Sequence, residues 1–365
     1  MLAASEEEAS EEEEERYLCK DYWLELVEHR LHIEDGRLLR RCDVPLIVER
    51  ASCVRPSLCR LGFCEVEVSK KEEDDDFEEV PLGWGVSLED MCFAMERLTD
   101  AGWPALYVLV FDESWILRER VGSLMKVEGL KPNFDFAAFV VKGASEAGWA
   151  PHRDREDAAH IGKVADGFET DDFPKFVTCW IALSDATPSS SCLYALPKPQ
   201  DPHYSSGQSE LNTINAAFRH PSDLQSIRAL PCAQGNLLLF SHRIIHWGSR
   251  RCEADTDRPR IAISFGSTPA SGDRGPFANS SVASGEPFRD RQRPLKSLTP
   301  RLALAAAQYL TYAPNTPGPV SEAVLRIHEN FVFHEDDLFK PDFHAHLRRA
   351  ATAARNRLQL SASSK

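Results

Sequence analysis

The spacing of apolar positions changes twice along the chain. In "YLCKDYWLELVEHRLHI" (17–33) and "SLEDMCFAMERLTDAG" (87–102), apolar residues recur every three or four positions, the period of an amphipathic helix. Ser87 can cap the second helix, Glu89 and Asp90 sit in its first turn, and Gly102 follows its end. A further helix is expected near 112–124. "CRLGFCEVEV" (59–68) alternates like a short strand. From 133 the pattern becomes a series of short runs rich in β-branched and aromatic residues: "FDFAAFVVKG", "KFVTCWIALSD", "CLYALPKP", "NLLLFSHRIIHWG" and "RPRIAISFGS". Strands in succession without helices between them predict a sandwich or small barrel rather than a βαβ sheet. After residue 300, "RLALAAAQYL", "SEAVLRIHENF" and "PDFHAHLRRAATAARNRL" return to helical spacing, and "PNTPGP" (314–319) reads as a turn. The expected class is α+β with a mainly β core and helical flanks at both ends.

Charge adds two segments to this picture. The net charge is −15, but residues 6–15 hold eight acids and residues 72–79 hold seven, with no Lys or Arg in either window. Setting those fifteen aside leaves 42 acids against 42 lysines and arginines. The runs read as solvated: the first as a tail covering residues 1–15, the second as a loop. The rest, 16–365, reads as a single domain with its β core at about 133–267. No overall positive field exists to draw nucleic acid.

The N-terminus lacks the basic and apolar regions of a secretory signal, and no run of about eighteen apolar residues could span a membrane. An intracellular, cytoplasmic location is expected, with the ten cysteines mostly free. Cys53, Cys59 and Cys64 cluster in sequence but lack the C-x-x-C pairs of zinc ribbons.

Candidate chemistry begins at "GWAPHRDRED" (148–157). In an extended segment residues i and i+2 share a face, so His152 and Asp154 can reach one point with Arg153 turned away. A third ligand must come from another strand. His242 and His246 in "LLLFSHRIIHWGSRR" share a strand face, so periodicity does not choose between them; the following "WGS" favours His246. Two histidines and a carboxylate suit a non-haem Fe(II) site, which leaves positions open for a co-substrate and O₂. A 2-oxo acid co-substrate brings a distal carboxylate, and Arg260 in "DRPRIAISFG" could grip it with two hydrogen bonds; Arg258 competes, and "RIAISF" favours Arg260. Thr178 and Ser264 could add hydroxyl donors. Trp180 reads as wall packing, and His160, His203 and Asp185 as structural or exposed.

These pieces together resemble the phytanoyl-CoA dioxygenase (PhyH-like) branch of the Fe(II)/2-oxoglutarate-dependent oxygenases. The resemblance covers roughly 133–267 and rests on "PHRD", "FVTCWIALSDATPSSSCLYALP", "GNLLLFSHRIIHWGS" and "RPRIAISF", in that order. It implies a double-stranded β-helix, a cupin-like jelly-roll barrel. It also implies iron held by His152, Asp154 and His246, 2-oxoglutarate held by Arg260, and O₂ as oxidant. The expected reaction is hydroxylation of a C–H bond of a small-molecule or lipid-like substrate, with release of succinate and CO₂. The chain departs from the family in having Ser191 where glycine often precedes the Cys-Leu strand, "KPQDPH" where G-S-H often follows the Leu-Pro, and a longer, more charged segment "WGSRRCEADTD". Asp154, in place of Gly or Ala, argues against a halogenase. The readings set against this one are a Zn²⁺ hydrolase, which leaves Arg260 without a role, and a non-catalytic jelly-roll scaffold.

Overall fold

The computed structural model describes residues 16–36, 38, 46, 48–49, 51–68, 83–144, 146, 148–154, 167–205, 215, 217–252, 258–269, 297–312, 321–332 and 341–363. The acidic runs, the "PNTPGP" segment and His160 lie outside them. The chain divides into two compact units. One comprises 1–42, 93–116 and 277–365, the other 43–92 and 117–276.

The first unit is helical. Its helices are α1 (Lys20–Leu26), α5 (Leu298–Tyr312), α6 (Glu322–Ile327) and α7 (Pro341–Ser363). Ten of the fifteen residues of α5 are buried, as expected for a helix apolar nearly all round. Trp23 of α1 stacks on Tyr107, with ring centroids 5.6 Å apart. α1 is shorter than its 17–33 apolar pattern predicts. Glu28 and His29 take left-handed backbone (φ 54° and 55°) and end it. Buried Leu31 and Ile33 therefore belong to an irregular segment, which is anchored where the His32 carbonyl accepts the Asp112 N–H at 2.8 Å.

α3 (Leu88–Asp100) and α4 (Asp112–Met125) form where expected. The Ser87 hydroxyl accepts the Asp90 N–H at 3.1 Å, and Gly102 has a φ of 83°.

The second unit carries the β core as two antiparallel sheets. Its strands are β1 (Phe63–Val66), β2 (Leu130–Val141), β3 (Val177–Ala182), β4 (Leu193–Leu196), β5 (Arg228–Leu230), β6 (Leu237–Ser241), β7 (Ile245–Gly248) and β8 (Arg260–Pro269). The orders are β1-β6-β3-β8-β2 and β5-β4-β7. Side chains opposite one another in register share a face. Thr178, Trp180 and Ala182 of β3 therefore face the same way as Phe240 and Leu238 of β6 and as Gly266, Ser264, Ala262 and Arg260 of β8. Residues of that face join Leu193, Ala195 and Leu230 of the smaller sheet in one buried cluster. β3 is buried along its whole length, which explains its unbroken apolar run.

Two expectations need correction. "CRLGFCEVEV" is not one strand. Its first three residues end α2 (Val54–Leu61), Gly62 takes φ 82° where no Cβ is tolerated cheaply, and only then does β1 begin. "NLLLFSHRIIHWG" is likewise two strands in different sheets, parted by a turn at 242–244. His242 and His246 thus do not share a strand face.

Candidate active site

His152 and His246 are brought together by backbone pairing. Each N–H donates to the other's carbonyl at 3.0 Å, an antiparallel bridge that adds the 149–152 segment to the edge of β7. Cross-strand neighbours in such a pair project the same way, and the two imidazole centroids lie 4.3 Å apart. Asp154 completes the set: its Oδ1 is 3.5 Å from His152 Nε2 and 3.4 Å from His246 Nε2. Among the described residues this is the one group of three His, Cys, Asp or Glu side chains whose ligand atoms fall within metal reach, all within 4.8 Å of one another. Cys53, Cys59 and Cys64 form no such group, and the nine described cysteines are all free.

The hydrogen bonds set the state of each candidate ligand. His152 Nδ1 meets the Ala150 carbonyl at 2.7 Å, and His246 Nδ1 meets that of Ile244 at 3.3 Å. A carbonyl only accepts, so both rings carry a proton on Nδ1 and present Nε2 toward Asp154. Burial and the neighbouring His152 push the His246 imidazole down to about 4, so at neutral pH it is a neutral donor. Burial would raise the Asp154 carboxyl, but His246, His152 and the Thr178 hydroxyl outweigh it and hold it well below the usual range. Thr178 donates to Asp154 Oδ2, so its hydroxyl fixes the carboxylate that faces the two rings. Two imidazole nitrogens and a carboxylate could hold a divalent transition metal.

Arg153, between the two candidate ligands, points the other way into the interior. It forms a fully buried two-pronged pair with Asp201, 2.6 Å from Nη1 and 3.0 Å from Nη2, and donates to the Arg243 carbonyl. Arg243 in turn donates to the carbonyls of His203 and Tyr204 at 3.1 Å each. The backbone between His152 and Asp154 is thus tied to the segment after β4. His242 packs elsewhere, its ring 5.3 Å from that of Phe168 and its Nδ1 3.2 Å from the Phe176 carbonyl.

Arg260 opens β8 and is 1% exposed, whereas Arg258 is exposed. Its Nε donates to the Ser191 carbonyl at 3.0 Å and its Nη2 to Ser191 Oγ at 3.3 Å; Nη1 has no partner among the described residues. No carboxylate pairs with it there. Burial alone pulls its guanidinium down to about 10. The guanidinium lies 5.8 Å from the Phe139 ring centre and 5.9 Å from that of Trp180. From Phe139 the aromatic contacts continue to Trp149 (5.7 Å) and on to His152 (5.4 Å). Gly248, on the same face of β7 as His246, lies against Arg260: a Cβ there would sit 3.3 Å from Nη2 and 2.6 Å from the Cα of Gly148. The arginine and the His-Asp-His set therefore line one side of one core. Ser264 is on that face, opposite Trp180 in register, and the buried Trp180 Nε1 has no hydrogen-bond partner among the described residues.

Gly148, Gly248 and the Trp180 N–H went unread in the sequence as site features. The two glycines stand four residues before His152 and two after His246, and the bridge between the segments brings them against each other.

Residues 97–259 match the model of the phytanoyl-CoA dioxygenase (PhyH) family. No curated protein matches the chain in sequence. Among solved structures it is similar to the non-haem α-ketoglutarate-dependent epimerase SnoN from nogalamycin biosynthesis, at 15% identity over 60% of this chain and 84% of that one, with a TM-score of 0.39. It is also similar to AviO1 from Streptomyces viridochromogenes, at 17% identity over 64% and 100% of the two chains, with a TM-score of 0.42. A third is EctD from S. alaskensis with bound Fe, at 14% over 66% and 81%, with a TM-score of 0.39. His152, Asp154 and His246 all lie inside residues 97–259, the span that matches the PhyH family model, so the candidate ligand set and the similarity to that family fall on the same part of the chain.

Proposed function

We propose that the protein hydroxylates a C–H bond of a small-molecule or lipid-like substrate, with His152, Asp154 and His246 holding Fe(II) and Arg260 holding the distal carboxylate of 2-oxoglutarate. The observation that carries the reading is the buried Arg260 guanidinium, without a carboxylate partner among the described residues, on the face that also carries a His-Asp-His set. A buried cation without a counter-ion is costly unless an anion completes it. A dicarboxylate reaching from a metal to Arg260 would do so. The two packed antiparallel sheets support a double-stranded β-helix as the scaffold.

Fe(II) with 2-oxoglutarate and O₂ would supply the oxidising power, succinate and CO₂ leaving as the co-substrate is consumed. The chain's own residues supply placement. The Nδ1–H bonds to Ala150 and Ile244 fix which imidazole nitrogens face inward. Thr178 fixes Asp154, and Trp180, Phe139 and Phe240 wall the site against water. Trp180 Nε1 and Ser264 Oγ are donors available to the co-substrate.

The test is anaerobic titration of 2-oxoglutarate into the Fe(II) protein, following the metal-to-ligand charge-transfer band. Wild type should develop the band, and His246→Ala should lose most of its iron while staying folded. Arg260→Lys should keep iron but bind 2-oxoglutarate roughly tenfold to a hundredfold more weakly, because losing one prong of a charge-assisted pair costs about 1.5–3 kcal/mol. Absence of the band, or an Arg260→Lys protein that binds normally while Arg258→Lys does not, overturns the assignment. Succinate release across a panel of candidate substrates then identifies the molecule oxidised.

A further inference from the structure

Ser191 has a φ of +78°, in the left-handed region that disfavours any residue with a Cβ, and it is fully buried. The turn around it leaves no slack. The Thr187 N–H donates to Ser190 Oγ at 2.8 Å, the Ser190 N–H returns the bond to Thr187 Oγ1 at 3.1 Å, and the Cys192 N–H donates to the Thr187 carbonyl at 2.8 Å. Ser249 closes the arrangement from β7's far end, its N–H donating to the Cys192 carbonyl at 3.0 Å.

Both polar atoms of Ser191 are turned onto one edge of Arg260. The carbonyl accepts from Nε, the hydroxyl oxygen accepts from Nη2, and the hydroxyl proton goes to the Ser249 carbonyl. A single bond at Nε would let the planar guanidinium swing about its Cδ–Nε axis. The second bond at Nη2 fixes the plane. Two of five N–H groups are then committed, and the end formed by Nη1 and the remaining N–H of Nη2 is left for a ligand.

The geometry points to Ser191 as the positioning residue of the co-substrate site, its strained backbone retained because that conformation aims the free end of Arg260 at a dicarboxylate. The inference rests on Arg260 being the clamp for 2-oxoglutarate. Glycine at this position would relieve the backbone but keep only the carbonyl contact. Alanine would keep the strain and lose the same hydroxyl. The two substitutions therefore separate stability from aim.

The experiment compares wild type, Ser191→Gly, Ser191→Ala and Arg260→Ala in two measurements: melting of the metal-free protein, and calorimetric binding of 2-oxoglutarate to the anaerobic Fe(II) protein. Both Ser191 variants should bind 2-oxoglutarate about three- to tenfold more weakly, the effect of one hydrogen bond. Their iron affinity should be unchanged, and KM for 2-oxoglutarate should rise without a matching fall in kcat. The glycine variant should nonetheless melt about 2–4 °C above the alanine variant. If Arg260→Ala binds weakly while both Ser191 variants bind as wild type, or if their affinities follow their melting temperatures, the positioning role is wrong and the clamp stands. If Arg260→Ala itself binds as wild type, the clamp reading fails and this inference with it.

Discussion

Each unit of the molecule contains a fully buried arginine, and the two are satisfied in opposite ways. In the helical unit, Arg301 meets Asp112 at 2.6 Å and the Val110 carbonyl at 2.7 Å, both ionic side chains being fully buried. Asp112 also accepts the N–H groups of Glu34 and Asp35, at 3.0 and 2.7 Å. In the β unit, Arg260 has, among the described residues, only the carbonyl and hydroxyl of one serine as hydrogen-bond partners. A buried ion pair that closes on itself is architecture. A buried cation held on one edge and open at its end is a socket. On the proposed reading, this contrast is what marks Arg260, rather than Arg301, as the arginine open to a ligand.

The largest effect expected from breaking the comparison lies on the paired side. Asp112→Ala strands Arg301 and two backbone donors, so denaturant unfolding should register a loss of about 3–5 kcal/mol. Arg260→Met, which removes an uncompensated charge, should leave stability within about 1 kcal/mol of wild type while 2-oxoglutarate binding disappears. Equal destabilisation by the two substitutions would erase the distinction drawn between them.

Arg153 and Asp201 sharpen it within the β unit, since they are paired as Arg301 is but lie beside the site. Asp201→Ala should cost about 3 kcal/mol and weaken iron binding. Combining Arg153→Met with Asp201→Leu should recover most of the stability, because the pair's main liability is a partner left alone. If the double variant is no more stable than Asp201→Ala in thermal melts, the pair contributes more than mutual neutralisation.

The smallest effect is a pH dependence in the helical unit. Burial pushes the His328 imidazole down to about 4. An unfolded imidazole titrates near 6.5, so the unfolded chain takes up the proton first as the pH falls. Stability from this group is complete above roughly 6.5 and is lost as the pH drops toward 4. Melting curves of metal-free protein should show that decline, and His328→Leu should make it shallower; an unchanged slope would mean that His328 titrates normally in the fold.

Much of the metal set was legible in the chain. His152 and Asp154 stand two apart, and "HWGS" marked His246 over His242, although the strand face once thought to be shared by the two histidines does not exist. That Arg260 rather than Arg258 is buried was also legible, because "RIAISF" has the composition of a buried strand and the residue opening it is carried inside. Thr178 was legible as a hydroxyl near the site but not as the donor to Asp154.

Local pattern gave element type wherever burial imposed a period or a cap imposed an end: α3 with its Ser87 cap, α4, strands β2, β3, β4 and β8, and the strand character of β6 and β7, but not the short β5. It could not fix where the chain reverses within an apolar run. Ser-His-Arg at 241–243 has no glycine or proline to announce a turn, and pairing with two different sheets decided the break there. Nor could it show that Ser191 adopts a glycine's conformation, that Gly148 and Gly248 must be bare for two backbones to pass beside Arg260, or that among the described residues Arg260 has no carboxylate partner while Arg153 and Arg301 do. Those facts depend on which residues, tens of positions apart, are pressed together once the apolar faces are buried. The sequence determines the chemical groups and their local periods, and the tertiary structure alone decides which buried charges find partners inside the protein and which are left for a ligand.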